Sequence, residues 1–304
     1  MDNMDHMEHM KHMNHGEASF PGFWEMVNPG TLLLTVLFII LYFVAVHRWS
    51  KREGSGEETM SVLKKGAFVS GALIYYAATG PIGAFSHFFF SAHMTEMSLV
   101  YLVVPPLLLV GAPPTLLRKL WNDSRRKGIL RFVTHPVITL LTFNGLISLY
   151  HLPVVFDTIM SRMWWMELSH VILMMCAFMM WWPLVCPLPE EDRLSPLQKL
   201  GYIFADGVLL TPACAFLAFS SALLYDSFQG GALTTAIMPP LEDQKLGGVV
   251  MKIIQELAYG SVLAYTFFGW VRKQRQQDEE ELVARRQKSI HQQENDKILP
   301  SFNH

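Results

Sequence analysis

His6, His9, His12 and His15 recur every third residue at the start of the chain, and Met4, Met7, Met10 and Met13 keep the same interval between them. Imidazoles alternating with thioethers make a soft-to-borderline donor set, which suits copper better than magnesium or calcium. The segment is too polar to bury a core, so it is expected to lack fixed structure until it binds an ion. An expression tag would lack the interleaved methionines. The chemistry expected of residues 1–28 is loose capture of metal, with His6, His9, His12, His15, Met7, Met10 and Met13 as donors.

A second set of donors is scattered through the apolar part of the sequence. His87, His93, His151 and His170 stand far apart, and Met94 and Met97 follow His93. Met163, Met166 or Glu167, His170 and Met174 recur at three- and four-residue steps, the spacing of one helical face. His93, Met94, Glu96 and Met97 fall within one turn, and Glu242, Asp243 and Met251 offer further donors near the last apolar stretch. A single membrane histidine or methionine more often packs than ligates. Four histidines on one side of a bundle, beneath a His/Met tail on that same side, point instead to one shared metal site. Its expected ligands are His87, His93, Met94, Met97, His151 and His170.

Positioning such residues requires a membrane scaffold. Of the 304 residues 51% are hydrophobic and only 16% charged, whereas soluble proteins carry about a quarter charged residues. Each spanning helix needs roughly 20 apolar residues, and seven stretches approach this: 29–46, 66–85, 91–112, 132–150, 163–185, 200–224 and 247–271. No alternating strand pattern competes, so the expected fold is an all-α polytopic bundle of seven transmembrane helices. Twenty lysines and arginines fall on one side of these stretches and three on the other, with Lys252 inside the last. The positive-inside rule then places the N-terminus outside and the C-terminus in the cytoplasm. The expected organisation is a tail over 1–28, a membrane domain over 29–272 and a charged cytoplasmic tail over 273–304. No basic segment precedes an early apolar run, so the first span is expected to act as a reverse anchor rather than a cleaved signal. On this topology the four histidines share the outer half, and His47 and His135 lie on the cytoplasmic side.

Other features are assigned more ordinary roles. Lys252 and Glu256, four residues apart, are expected to form an intramembrane ion pair. Asp206, on the cytoplasmic half, is expected to pair or cap. Cys176 and Cys214 read as small buried hydrophobes, the alternative being a thiolate pair that passes Cu(I) inward. Gly80-Pro81, Pro105-Pro106 and Pro212 break or kink the spans. A net charge of −2 argues against nucleic-acid binding. The absence of a phosphate loop, a nucleophile elbow and an H-E-x-x-H helix argues against an ATP-driven pump, a hydrolase or a metalloprotease.

The order of several short motifs resembles a known family. His87 through His93-Met94, Pro105-Pro106 followed by Gly111-Ala112-Pro113, Tyr150-His151-Leu152-Pro153, Trp181-Trp182-Pro183, and Asp243-Gln244 with Gly247-Gly248 are similar to CtaG-type assembly factors of cytochrome c oxidase, over about residues 20–272. The resemblance implies a non-enzymatic, multi-pass protein of the bacterial plasma membrane that helps copper reach a caa-type oxidase, with oxidase subunits as partners and His87, His93 and His151 as carried-over positions. The family pattern often has a histidine where this chain has Met97; a thioether there can still ligate Cu(I), but the departure weakens the case for a His-rich Cu(II) site and for a bis-histidine haem site alike. Two alternatives stand beside this: a membrane redox protein holding haem between histidines of two helices, and a copper transporter.

Overall fold

The computed structural model describes residues 20–52, 60–229 and 232–298. The His/Met repeat of residues 4–15 lies outside them. Among the described residues the regular secondary structure is all helical, with no strand. A short α1 (Phe23–Val27) leads into α2 (Pro29–Arg52). Next come α3 (Val62–Ala77), continued by a wide turn over Ala78–Ile82, and α4 (Phe90–Ser98), joined to α5 (Val104–Val110) through a second wide turn over Leu99–Val103. Two short helices, α6 (Pro114–Trp121) and α7 (Ser124–Val133), precede α8 (Pro136–Tyr150). The remainder is α9 (Pro153–Met160), α10 (Met163–Val185), α11 (Pro196–Phe219), α12 (Ala232–Ile237) and a long α13 (Pro240–Ile298).

Among the described residues, six helical segments are long and apolar enough to cross a membrane, or seven if the pair α7 and α8, bent by 60°, counts as one span. The apolar stretch expected over 132–150 is thus not one continuous helix. His135-Pro136 breaks it, because proline disfavours helical backbone in the residue before it, and His135 is extended (ψ 129°). The sixth span begins at Pro196, where Ser195 and Gln198 form a reciprocal cap, and ends at Phe219 rather than near 224. The last helix runs unbroken across 272–273, so the membrane domain and the charged tail share one helix.

The third span, α4–α5, is the hub: 61% of its apolar window is buried, against 11% for the first span. It touches α3 and α10 through α5 and α13 through α4, while α8 and α11 close the ring between α10 and α13. The breakers make these contacts possible. Pro105 and Pro106 have no N–H, so the Tyr101 and Leu102 carbonyls lose their usual helical donors. The Trp181 indole Nε1 donates to the Tyr101 carbonyl at 3.2 Å, supplying the missing partner from α10. Two residues of the Trp-Trp-Pro motif thereby acquire separate tasks, since Trp182 stacks on Trp121 with ring centroids 4.5 Å apart. Lipid offers no hydrophobic drive between helices, so close approach at small residues must carry the packing. Gly248 is such a point: a β-carbon there would lie 2.7 Å from the Ala218 nitrogen of α11.

Candidate functional site

The N-terminus of α4 is completed by a residue 153 positions beyond Phe90. Phe89 supplies no side-chain cap, and the first amides of a helix have no partner within it. Asp243, at the start of α13, accepts from the Phe90 nitrogen at 2.6 Å and the Ser91 nitrogen at 3.2 Å, and is bonded by the Ser91 hydroxyl as well. Its neighbour Gln244 pins the loop after α11, accepting from the Leu224 nitrogen at 2.8 Å and donating to the Ala222 carbonyl at 3.1 Å. Tyr225 in that loop donates to the His151 carbonyl at 2.8 Å. The expectation that Glu242 and Asp243 are site carboxylates is corrected by these contacts. Asp243 is a helix cap, and Glu242 is a surface residue paired with Lys245 at 3.1 Å.

With α4 fixed in this way, a cavity of about 960 Å³ opens between α2, α3, α4–α5 and α10. His87, His93 and His170 all line it, together with Glu96, Met97, Met166, Glu167 and Met174. The repeating face of α10 thus faces the cavity from Met166 onward, while Met163 is exposed and takes no part. His87 stands exposed at the rim, whereas His93 is buried and its Nε2 is bonded to the Tyr150 hydroxyl at 3.1 Å. His170 Nε2 is buried without a hydrogen-bond partner and sits edge-on to the Tyr101 ring. Deeper in the membrane domain the lining turns apolar through Leu34, Phe38, Leu108 and Phe178.

The fourth histidine does not join them, which corrects the picture of four imidazoles in one pocket. His151 caps the C-terminus of α8, and its Nδ1 bonds the Ile147 carbonyl at 2.7 Å. Its Nε2 lies 3.4 Å from the Met94 sulfur, both residues being buried. His151, Met97 and Met251 line a separate void of only about 10 Å³. Met94 points away from the large cavity because one helical turn cannot aim all four of His93, Met94, Glu96 and Met97 to one side. Met97 lines both spaces. Among the described residues, no group of three or more His, Cys, Asp or Glu side chains is arranged to hold a metal ion.

Two residues that sequence spacing alone did not single out complete the site. Tyr150 is bonded to His93, and Tyr101 packs against His170 and accepts the Trp181 bond through its carbonyl. Tyr150 adjoins His151 in sequence, a proximity that carried no hint of a partner on α4. Elsewhere, Lys252 and Glu256 pair at 2.7 Å as expected. Cys214 faces Gln255 rather than Cys176, so the hypothesised thiol pair has no support among these contacts.

On the side where basic residues cluster, a polar knot ties the loop after α10 to α7. Buried Glu191 binds Arg131 at 2.9 Å and Lys127 at 3.2 Å. The Arg131 guanidinium, and after it the Lys127 ammonium, holds the Glu191 carboxyl below the usual carboxylate range against the opposing effect of desolvation. Cys186, next to this loop, is pushed up to about 11 by burial and is an inert thiol at neutral pH.

Comparison with known proteins decides the family. The model of the cytochrome c oxidase caa3 assembly factor family matches residues 40–273. The chain belongs to that family. The matched region holds His87, His93, His151 and His170 and excludes the N-terminal repeat. Uncharacterized proteins of Mycobacterium leprae and Mycobacterium bovis are each 24% identical to it, over 221 and 225 residues and 66% and 67% of this chain. The chain spans about a third of the length of these relatives, 33% in both cases. No solved structure matches it.

Proposed function

We propose that the protein is a membrane assembly factor for a caa-type cytochrome c oxidase, and that the large cavity is where it receives copper as cargo. The observation that carries this is the meeting of His87, His93 and His170 with the Met97, Met166 and Met174 thioethers around one opening. These are donors for a soft or borderline ion. Met97 connects this cavity to the buried His151–Met94 pair. An ion entering at His87 therefore has a succession of nitrogen and sulfur donors leading inward. The role is binding and transfer rather than bond-making chemistry.

The basic-residue asymmetry supports an outward-facing cavity in a bacterial plasma membrane, with the N-terminal His/Met repeat on the same side to gather copper. The test is metal analysis with Cu(I) competition titration on the purified full chain in nanodiscs, beside oxidase activity in cells. Replacing His87, His93 and His170 together by alanine is expected to abolish copper retention and oxidase assembly while the protein still accumulates. Retained copper and normal oxidase in that variant would refute the site.

One observation favours a second reading. The cavity has the volume of a site for a sizeable organic molecule rather than a lone ion. Imidazoles from separate elements are what a haem would need as axial ligands. An optical spectrum of the same sample separates the two, since a strong Soret band without copper would select haem.

A further inference from the structure

Asp206 lies in the middle of α11 and is wholly buried. Around it, three oxygens from three helices have no hydrogen-bond partner: Asp206 Oδ2, Asn144 Oδ1 from α8 and the Tyr259 hydroxyl from α13. Asn144 and Tyr259 are themselves buried, each 4% exposed. The Tyr259 hydroxyl lies close enough to the carboxyl to interact with it electrostatically, and the Trp181 ring covers Tyr259 edge-on at 5.5 Å.

Counting hydrogens exposes a deficit. Asn144 Nδ2 has two, one committed to the Leu140 carbonyl at 2.9 Å and one to Asp206 Oδ1. The only other donor in the group is the single Tyr259 O–H, which must serve both Asp206 Oδ2 and Asn144 Oδ1. With an ionised carboxylate the cluster is one hydrogen short and carries an uncompensated charge. Both faults are costly in a low-dielectric interior.

No nearby cation cures the charge. Lys252, the only basic residue within the last apolar stretch, is engaged by Glu256 at 2.7 Å and by the Thr211 hydroxyl at 2.8 Å. The other groups packed here are neutral. Tyr202 on α11 bonds Thr139 at 2.9 Å and the Met180 carbonyl of α10 at 3.1 Å. Gln255 on α13 donates to the Gly207 carbonyl at 3.2 Å, and Cys214 faces Gln255.

We infer that Asp206 is a proton-binding site inside the membrane domain, its carboxyl taking one proton from water and sharing it with Asn144 and Tyr259 across three helices. Uptake converts a carboxylate of charge −1 to a neutral acid, and release returns the same proton to water with no other bond changed. The loaded acid supplies the missing donor: its O–H and the Tyr259 O–H together serve the open acceptors. The site is independent of the histidine cavity and does not depend on copper. It ties α8, α11 and α13 together, so its occupancy is coupled to how tightly those helices close.

The test is an infrared pH titration of the full chain in nanodiscs, with Asp206→Asn and Tyr259→Phe beside it. The wild type is expected to show a protonated-carboxyl band at neutral and mildly acidic pH that is lost in Asp206→Asn and shifted in Tyr259→Phe. The Tyr259→Phe shift alone decides the matter if Asp206→Asn fails to fold. An unchanged band in both variants would overturn the inference. So would loss of the wild-type band, with a rise in thermal stability, on replacing choline by sodium, which would make the site one for a metal cation.

Discussion

If α4 depends on a cap delivered from the other end of the chain, Asp243→Ala should destabilise the whole bundle. The substitution orphans the buried amide of Phe90 and the part-buried amide of Ser91, and strips the Ser91 hydroxyl of its acceptor. An orphaned buried donor costs about 1–3 kcal/mol, and losing a carboxylate at a helix N-terminus adds about 0.3–1 kcal/mol. The expected loss is therefore about 3 kcal/mol or more. At about 2–4 °C per kcal/mol for a protein of this size, the midpoint should fall by on the order of 10 °C. Asp243→Asn keeps one acceptor oxygen without the charge and should lose about half as much. Thermal unfolding in one detergent, followed by tryptophan fluorescence at several scan rates, measures this. A fall below about 1 kcal/mol for alanine, or an asparagine variant as damaged as alanine, would refute the cap.

Acidification should weaken the knot at Glu191. Because the folded carboxyl sits below its ordinary value of 4.5, the stability it contributes is complete above that value and is lost as pH falls through the folded one. Glu191→Gln should flatten the acid limb of a midpoint-against-pH curve without altering its slope near neutrality. Gly247→Ala and Gly248→Ala should separate site from scaffold. A β-carbon at Gly247 meets the Phe90 ring at 2.7 Å and Met94 Cγ at 3.0 Å, whereas the three atoms nearest to one at Gly248 all belong to α11. Both should lose about 1–3 kcal/mol in thermal unfolding, but only Gly247→Ala should also weaken Cu(I) retention in competition titration. Trp181→Phe removes the donor to the Tyr101 carbonyl and should cost about 1 kcal/mol in the same unfolding assay.

Apolar run length alone located six of the spans, because the membrane imposes that length whatever the neighbours do. The fourth was legible only in part. Its apolar count resembled the others, and the bend at His135-Pro136 depends on the backbone rather than on hydropathy. Periodicity correctly grouped Met166, Glu167, His170 and Met174 on one side of α10, since a helical face follows from spacing. The same logic could not foresee that His151 turns to Met94 instead of His93, as rotation of α8 against α4 is set by tertiary packing. Asp243 reads as one more acidic ligand in sequence. Only the distant Phe90 and Ser91 amides reveal it as a cap.

The family motifs gain a common physical meaning from these contacts: most of them hold the donor-bearing segments rather than supply donors. Pro81 lies inside the wide turn over Ala78–Ile82, Pro105-Pro106 come just after the one over Leu99–Val103, and both turns lend residues to the cavity wall. Wide turns of this kind free carbonyls and rotate the following side chains, and they concentrate at functional sites. Here the first precedes His87 and the second follows Met97, so the histidine segment is bracketed by two departures from regular helix. Each departure is then secured from outside: Trp181 takes the Tyr101 carbonyl, and Tyr76 donates to the Val27 carbonyl at 2.6 Å, tying α3 to the end of α1. Between the two departures, Met97 borders both the large cavity and the void beside His151.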